Sequence, residues 1–338
     1  MKQKTLSISV IIPTYNSSRT IELTLKSLDM QDFPKNLIEI IIVDGGSKDA
    51  TLEIVKKYPV IVINVSSKKQ NAEYNKGVGV NKAKNDILLL IDHDNVLPHK
   101  KWFQNMLKPF LEHREVVGVE PLRFHYDKSM TPLDRYFALI GGTDPVPYYL
   151  KKNSHLSWAF DRYNLIGNPV DKGKYYIVKF TPDEIPALGG NGAAIRRKLL
   201  LSEANSDPEN FFHIDVQVDL IRKGYNTYAF TKDSIIHLTN NKLFPFLSRR
   251  KYFIEKYYFK DQEKRRYSVF QGKKDLPLLI YYLFISLTII KPTYDALRGY
   301  VKINDPAWFI HPLMCFAMVF VYGIPTLKEE IHHVAIKR

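Results

Sequence analysis

Four runs of branched apolar residues recur in the first third of the chain: SISVIIP (7–13), IEIIIVD (38–44), VIVINV (60–65) and DILLLID (86–92). Isoleucine, valine and leucine follow one another in them with little polar alternation, as in parallel strands covered on both faces. Between them lie SRTIELTLKSLDM, SKDATLEIVKKY and NAEYNKGVGVNKAK, which read as amphipathic helices. Strand and helix alternating at this interval predict a doubly wound α/β sheet, which binds ligands beyond the carboxyl ends of its strands. Three of those ends carry polar residues: PTYN (13–16), DGGS (44–47) and DHDN (92–95). Their coincidence predicts a nucleotide-type pocket.

Further along, the pattern changes twice. Residues 125–185 are irregular and aromatic, whereas 186–240 return to α/β character, with FFHIDVQVDLIRKGY as a helix and NTYAFTKDSIIHL as a strand. Residues 242–275 hold eleven Lys/Arg against four Asp/Glu, with aromatic residues between them, among them Tyr257, Tyr258 and Phe259. Two uncharged stretches follow, 276–290 with fifteen residues and 306–327 with twenty-two. A spanning helix needs about 20 apolar residues, so the second is long enough and the first is short. The predicted organisation is an α/β domain over 1–240 (halves 1–120 and 121–240), a basic amphipathic interfacial segment over 241–275 and an apolar helical hairpin with a short tail over 276–338. A basic aromatic segment beside apolar spans reads as an interfacial helix on an anionic membrane surface. The excess of Lys/Arg before the first span predicts a cell-membrane protein with its catalytic domain on the cytoplasmic side.

Composition narrows the partner. The chain has 338 residues with a formal net charge of +14, which calls for an anionic partner: nucleic acid, lipid or a phosphorylated substrate. Half of that excess lies beside the apolar stretches rather than on a groove-reading element, which argues against nucleic acid. A single cysteine, Cys315, excludes an internal disulfide and a cysteine-based metal cluster. The apolar run of MKQKTLSISVIIPTYN is too short for a signal peptide and reads as a first strand.

The sharpest chemistry is in LLLIDHDN, where a buried strand runs into Asp92 and Asp94. Two carboxylates this close repel unless one protonates or a cation lies between them. Mg2+ or Mn2+ takes oxygen ligands and keeps phosphate oxygens or water in its shell, so the pair points to a metal-bridged diphosphate. LGGNGAAIRRKLL (188–200) places glycines where backbone can approach a ligand, ahead of an expected helix start.

In order, VIIPTYN, IIVDGGSKDAT, LIDHDN, GGNGAAIRR and HIDVQVDLIRKGY resemble the inverting family-2 glycosyltransferases, over about residues 7–240. The resemblance implies a GT-A type doubly wound, Rossmann-like mixed sheet. It implies donor contacts from Pro13, Thr14, Tyr15, Asp44, Gly46, Asp92 and Asn191, and a metal site at Asp92 and Asp94 that His237 approaches. It implies Asp215 as general base, taking the acceptor's proton while the diphosphate leaves. The layout is similar to that of glycolipid mannosyltransferases, which favours GDP-mannose as donor and a lipid-linked acceptor hydroxyl. UDP-glucose, a polyprenyl-phosphate acceptor and processive polysaccharide synthesis are the enzyme alternatives; a basic nucleic-acid- or membrane-binding protein is the alternative of another class. The chain also departs from the family pattern. Tyr74 stands where an arginine is familiar, Ile214 replaces the acid before Asp215, and QEKRRY (262–267) lacks the tryptophan of processive synthases.

Overall fold

The structure is a computed structural model that describes residues 5–239, 242–256, 262–268 and 270–336. The expectations for Tyr257, Tyr258 and Phe259 and for the last residues of the tail lie outside the described residues. The chain divides into two compact units, Met1–His125 with Ile166–Leu238, and Tyr126–Leu165 with Thr239–Arg338.

The first unit is built on a ten-stranded mixed sheet: β1 (Ile8–Thr14), β2 (Ile38–Asp44), β3 (Ile61–Asn64), β4 (Ile87–Leu90), β5 (Asn95–Val96), β6 (Gly118–Phe124), β7 (Asn168–Asp171), β8 (Tyr175–Lys179), β9 (Ala193–Arg196) and β10 (Thr227–His237). Its order is β3-β2-β1-β4-β9-β6-β10-β8-β7, with β5 pairing to β10. β1 is parallel to both β2 and β4, so the chain leaves β1 on one side and returns on the other. Such a switch point opens a crevice at the carboxyl ends of the strands. β1 and β4 are buried throughout, as their unbroken apolar runs require. β3 is the edge strand and is mostly exposed, so the expectation of cover on both faces fails there. β6 carries Pro121 in its interior, an uncommon place for a residue without an N–H. β9 bonds to β6 only at Gly118 and Val119, so the missing N–H falls beyond that ladder.

Helices cover the sheet where the sequence lacks bulk. Gly79 of the helix Ala72–Lys82 lies on β1 and β2; a methyl group there would meet Ile11 at 2.5 Å. Gly77 of the same helix lies equally close to Pro208 and Phe211. These glycines serve close packing, which explains a GVG motif without a dinucleotide fingerprint.

The second unit is helical. It holds Pro132–Ile140, Pro145–Tyr149, Leu243–Ile254, Gly272–Thr288, Ile290–Lys302 and Ile310–Ile336. The region that read as irregular contributes the first two. The first apolar stretch does not form one straight helix: the chain turns by 80° at Ile289, whose φ is +52°, and continues as an amphipathic helix. Pro306–Lys328 is long and apolar enough to cross a membrane. The core of this unit is formed by Tyr136, Leu139, Tyr149, Tyr282, Trp308, Cys315 and Met318 with their neighbours.

Candidate active site

The three polar strand ends meet at the switch point. Thr14 at the end of β1 pairs with Asp44 at the end of β2, and both are buried. Asp44 spends its carboxylate on its own loop, where Oδ2 accepts the backbone N–H groups of Gly46 and Ser47 at 2.8 Å. Gly46 has φ +88°, a conformation other residues rarely adopt. The adjoining loop is tied back as well: Asn16 Oδ1 accepts the Lys48 N–H at 2.8 Å. Pro13 is buried, Tyr15 is exposed at the rim, and the Thr14 hydroxyl is buried with no hydrogen-bond partner.

Beyond β4, Asn95 organises the loop. It is fully buried, its Oδ1 accepts the Asp92 N–H at 2.9 Å, and its Nδ2 donates to Asn191 Oδ1 at 2.9 Å. The β5–β10 bridge sets Asn95 opposite His237. That register brings His237 to Asp94, with Nε2 3.6 Å from Oδ2. Burial alone would raise the Asp94 pKa, but the facing imidazoles of His237 and His93 outweigh it and hold the carboxyl down at about 2. Asp94 Oδ1 is buried and accepts no hydrogen bond.

Asp92 has a different counter-charge. Lys76 is buried, and its ammonium lies 2.9 Å from Asp92 Oδ1 and 3.4 Å from Glu73 Oε1. Burial pulls the Lys76 pKa down, yet the two carboxylates pull harder and raise it above the ordinary lysine value. Glu73 continues the chain of charges: Oε1 lies 2.8 Å from His213 Nδ1, and Oε2 accepts the His213 backbone N–H at 2.8 Å. Burial would raise the Glu73 pKa; His213 and Lys76 overcome that and hold it below the usual carboxylate range. The repulsion that the D-x-D sequence poses is thus met by protein, with Lys76 facing Asp92 and His237 facing Asp94. Among the described residues no group of three or more His, Cys, Asp or Glu is placed to hold a metal ion.

The glycine loop lies beside this network. Gly189 donates its N–H to Glu120 Oε1 at 2.6 Å, and a methyl group on Gly189 would meet the His213 carbonyl at 2.8 Å. Burial pushes the Glu120 carboxyl up to about 8, only partly opposed by the Gly189 N–H.

The model of the family described as "Glycosyl transferase family 2" matches residues 9–200, more than half of the chain. The chain belongs to glycosyl transferase family 2. Among curated family-2 relatives, "Glycosyltransferase AglE" of Haloferax volcanii is 32% identical over 134 residues, 38% of this chain and 43% of that protein. The "Poly(ribitol-phosphate) beta-N-acetylglucosaminyltransferase TarS" of Staphylococcus aureus is 37% identical over 99 residues, 27% of this chain and 17% of that protein. The chain therefore spans less than half the length of these relatives. Among solved structures, the "Mannosyltransferase PcManGT from Pyrobaculum calidifontis in complex with GDP-Man and Mn2+" has a TM-score of 0.51 at 17% identity, covering 96% of this chain and 83% of that one. That likeness establishes the GT-A type fold.

Pro13, Thr14, Tyr15, Asp44, Gly46, Asp92, Asp94, Asn191 and His237 all lie around the strand ends just described. Asp215, in the first turn of the helix His213–Arg222, is fully buried. One expectation is corrected. The glycines of LGGNGAAIRRKLL feed strand β9, not a helix, because Ala193–Arg196 pair with β4; the helix starts only at Arg197. The anion-binding helix start inferred for that loop is therefore absent. Sequence reasoning did not single out Glu73, Lys76, Asn95, Glu120 or His213. The spacing of Glu73 and Lys76, one turn apart near a helix start, was the available signal.

Proposed function

We propose that this protein transfers a hexose, with inversion, from a nucleotide diphosphate sugar to a hydroxyl of a lipid-linked acceptor. The observation that carries the reading is the half-buried Asp94 carboxylate at the switch point: Oδ2 faces His237, and the buried Oδ1 has no hydrogen-bond partner. A buried anion left half-satisfied is costly unless a cation completes it. Asp94 and His237 fit a divalent ion whose remaining positions are filled by phosphate oxygen and water. The imidazole favours Mn2+ over Mg2+, which prefers an all-oxygen shell. When bound, the ion stabilises the charge that develops on the leaving diphosphate.

The chain's own residues supply the rest. Pro13, Thr14, Tyr15, Asp44 and Gly46 form the wall for the nucleoside. Asp92 and Lys76 stand at the diphosphate, and Asn191, held by Asn95, faces the sugar. GDP-mannose is the favoured donor on the family resemblance. A UDP-linked sugar is the second reading, favoured by the N-acetylglucosaminyl transfer in the staphylococcal relative's name.

Membrane attachment is supported by the second unit. Leu313, Phe316, Phe320, Ile324 and Leu327 recur at three- and four-residue spacing along Ile310–Ile336, and all five are exposed. Ile280, Phe284 and Leu287 do the same on Gly272–Thr288. A soluble protein seldom leaves such stripes bare. With the basic residues of the segment before them, they support attachment to an anionic membrane surface, on the cytoplasmic side in this reading, with a lipid-linked acceptor.

Thermal-shift and calorimetric screening of GDP-mannose, UDP-glucose and UDP-N-acetylglucosamine, each with Mn2+ or Mg2+, tests it. One donor is expected to stabilise the protein only with metal present, and to be consumed when polyprenyl-diphosphate sugars or alkyl glycosides are added. Metal-independent binding of all donors, or of none, sinks the reading.

A further inference from the structure

Sugar transfer to a hydroxyl needs a base that touches the acceptor, and Asp215 is fully buried. The neighbouring His213 is not; a fifth of its side chain is exposed, 20%. We propose that His213 is the base that takes the acceptor's proton, with Glu73 as its positioning residue. The inference rests on the sugar-transfer reading above and names the residue that reading lacks.

The geometry is that of an oriented imidazole. Glu73 grips the start of the helix His213–Arg222 at two points, the ring Nδ1 and the backbone N–H. The second contact satisfies a donor that a helix start leaves open. Because ionised Glu73 can only accept, Nδ1 carries the proton and Nε2 keeps its lone pair. Nε2 faces the glycine loop: a methyl group on Gly190 would lie 3.7 Å from it. The next residue, Asn191, is bonded to Asn95, which in turn holds the Asp92 N–H. Nε2 thus lies beside the loop that Asn191 and Asn95 tie to the D-x-D loop. The charged group in contact with the ring is Glu73, which in turn pairs with Lys76 on the same helix. The glycine loop brings no charge.

The step balances. The acceptor's O–H proton passes to His213 Nε2 as its oxygen bonds to the anomeric carbon. The bond from that carbon to the β-phosphate oxygen breaks, and the nucleoside diphosphate leaves with the electron pair. The imidazolium so formed faces Glu73, whose charge offsets it.

The test uses the full chain in detergent with Mn2+, the donor it consumes among GDP-mannose, UDP-glucose and UDP-N-acetylglucosamine, and the acceptor panel above. His213→Gln is expected to lower kcat by about 10²–10⁴ while the donor Kd stays within twofold. Added imidazole is expected to restore part of the turnover of His213→Ala. Glu73→Gln is expected to lower kcat while the acceptor KM stays within twofold, and Glu73→Asp to restore part of the loss. Near-normal turnover in His213→Gln overturns the assignment, as does a loss in Asp215→Asn equal to that in His213→Ala with no imidazole rescue. A wild-type chain that consumes no donor removes both readings, whereas an active wild type with an active His213→Gln removes only this one.

Discussion

Both units bury charge, but they treat it differently. Among the described residues of the second unit, each buried aspartate has a hydrogen-bonding or charged partner. Asp144 accepts from Arg250 and Tyr322, Asp305 from Tyr126 and the Ala307 N–H, and Asp134 from Thr131 and Thr239. Asp275 faces the Lys152 ammonium. Among the described residues of the first unit two carboxylates, that of half-buried Asp94 after β4 and that of buried Glu120 within β6, each keep a buried oxygen without a hydrogen-bond partner. The difference separates charge that fixes helices from charge held ready for something the protein does not itself provide. A satisfied pair adds rigidity and no affinity; an unsatisfied one costs stability until a ligand or a proton arrives.

The largest expected effect tests that distinction at Asp94. Asp94→Asn keeps the size of the side chain and removes the charge. Metal-dependent donor affinity is expected to fall by about 10²–10³, the few kcal/mol such a contact supplies. Stability is expected to change little, since the carboxylate that is removed has only one of its oxygens engaged. Calorimetry with Mn2+ and donor reads the first, thermal unfolding the second. A variant that melts well below wild type yet binds donor normally would reverse the comparison.

Asp275→Asn is the opposite case. Lys152 and Asp275 are each more than nine-tenths buried, with side-chain exposures of 8% and 5%. Removing one partner of a buried pair costs about 3–5 kcal/mol, because the other charge is stranded. A fall in melting temperature of roughly 10 °C in detergent is expected, with donor affinity of the remaining folded protein unchanged. A melting point within a degree or two of wild type would show that the second unit's pairs do not hold it together.

How far the sequence reached follows the same division. The strand ends were legible because runs such as IIVD and LLLID carry their own signal: continuous apolar residues, then an acid. Charge partners were not, since they depend on register between distant strands. Nothing in LIDHDN says that Asn95 will pair with His237, which is what sets His237 beside Asp94. Lys76 reads in sequence as one more solvated helix lysine; only the close approach at Gly77 and Gly79 shows the helix pressed into the fold with that lysine beneath it. Residues 126–165 were opaque for a related reason. Their aromatic residues find their use in the fold of the second unit, where the Tyr136 and Tyr149 hydroxyls meet the two nitrogens of His311.

The smallest effect belongs to Glu120, and its sign is set by linkage. Its pKa is raised by burial, to about 8 in the fold against about 4.5 in the open chain. The folded state therefore holds a proton that the unfolded state gives up. The stability this acid contributes is complete below about pH 4.5 and is lost as pH rises towards 8, by up to about 1.4 kcal/mol per pH unit. Glu120→Gln has no proton to lose and keeps an oxygen for the Gly189 N–H. Melting curves of wild type and variant at pH 5, 7 and 9 should diverge, with the wild type falling behind as pH increases. If the two run parallel, Glu120 is ionised in the fold, and the glycine loop above it must then shelter a buried anion. In that event the first unit would hold a second charge in need of a cation, not an acid satisfied by its own proton.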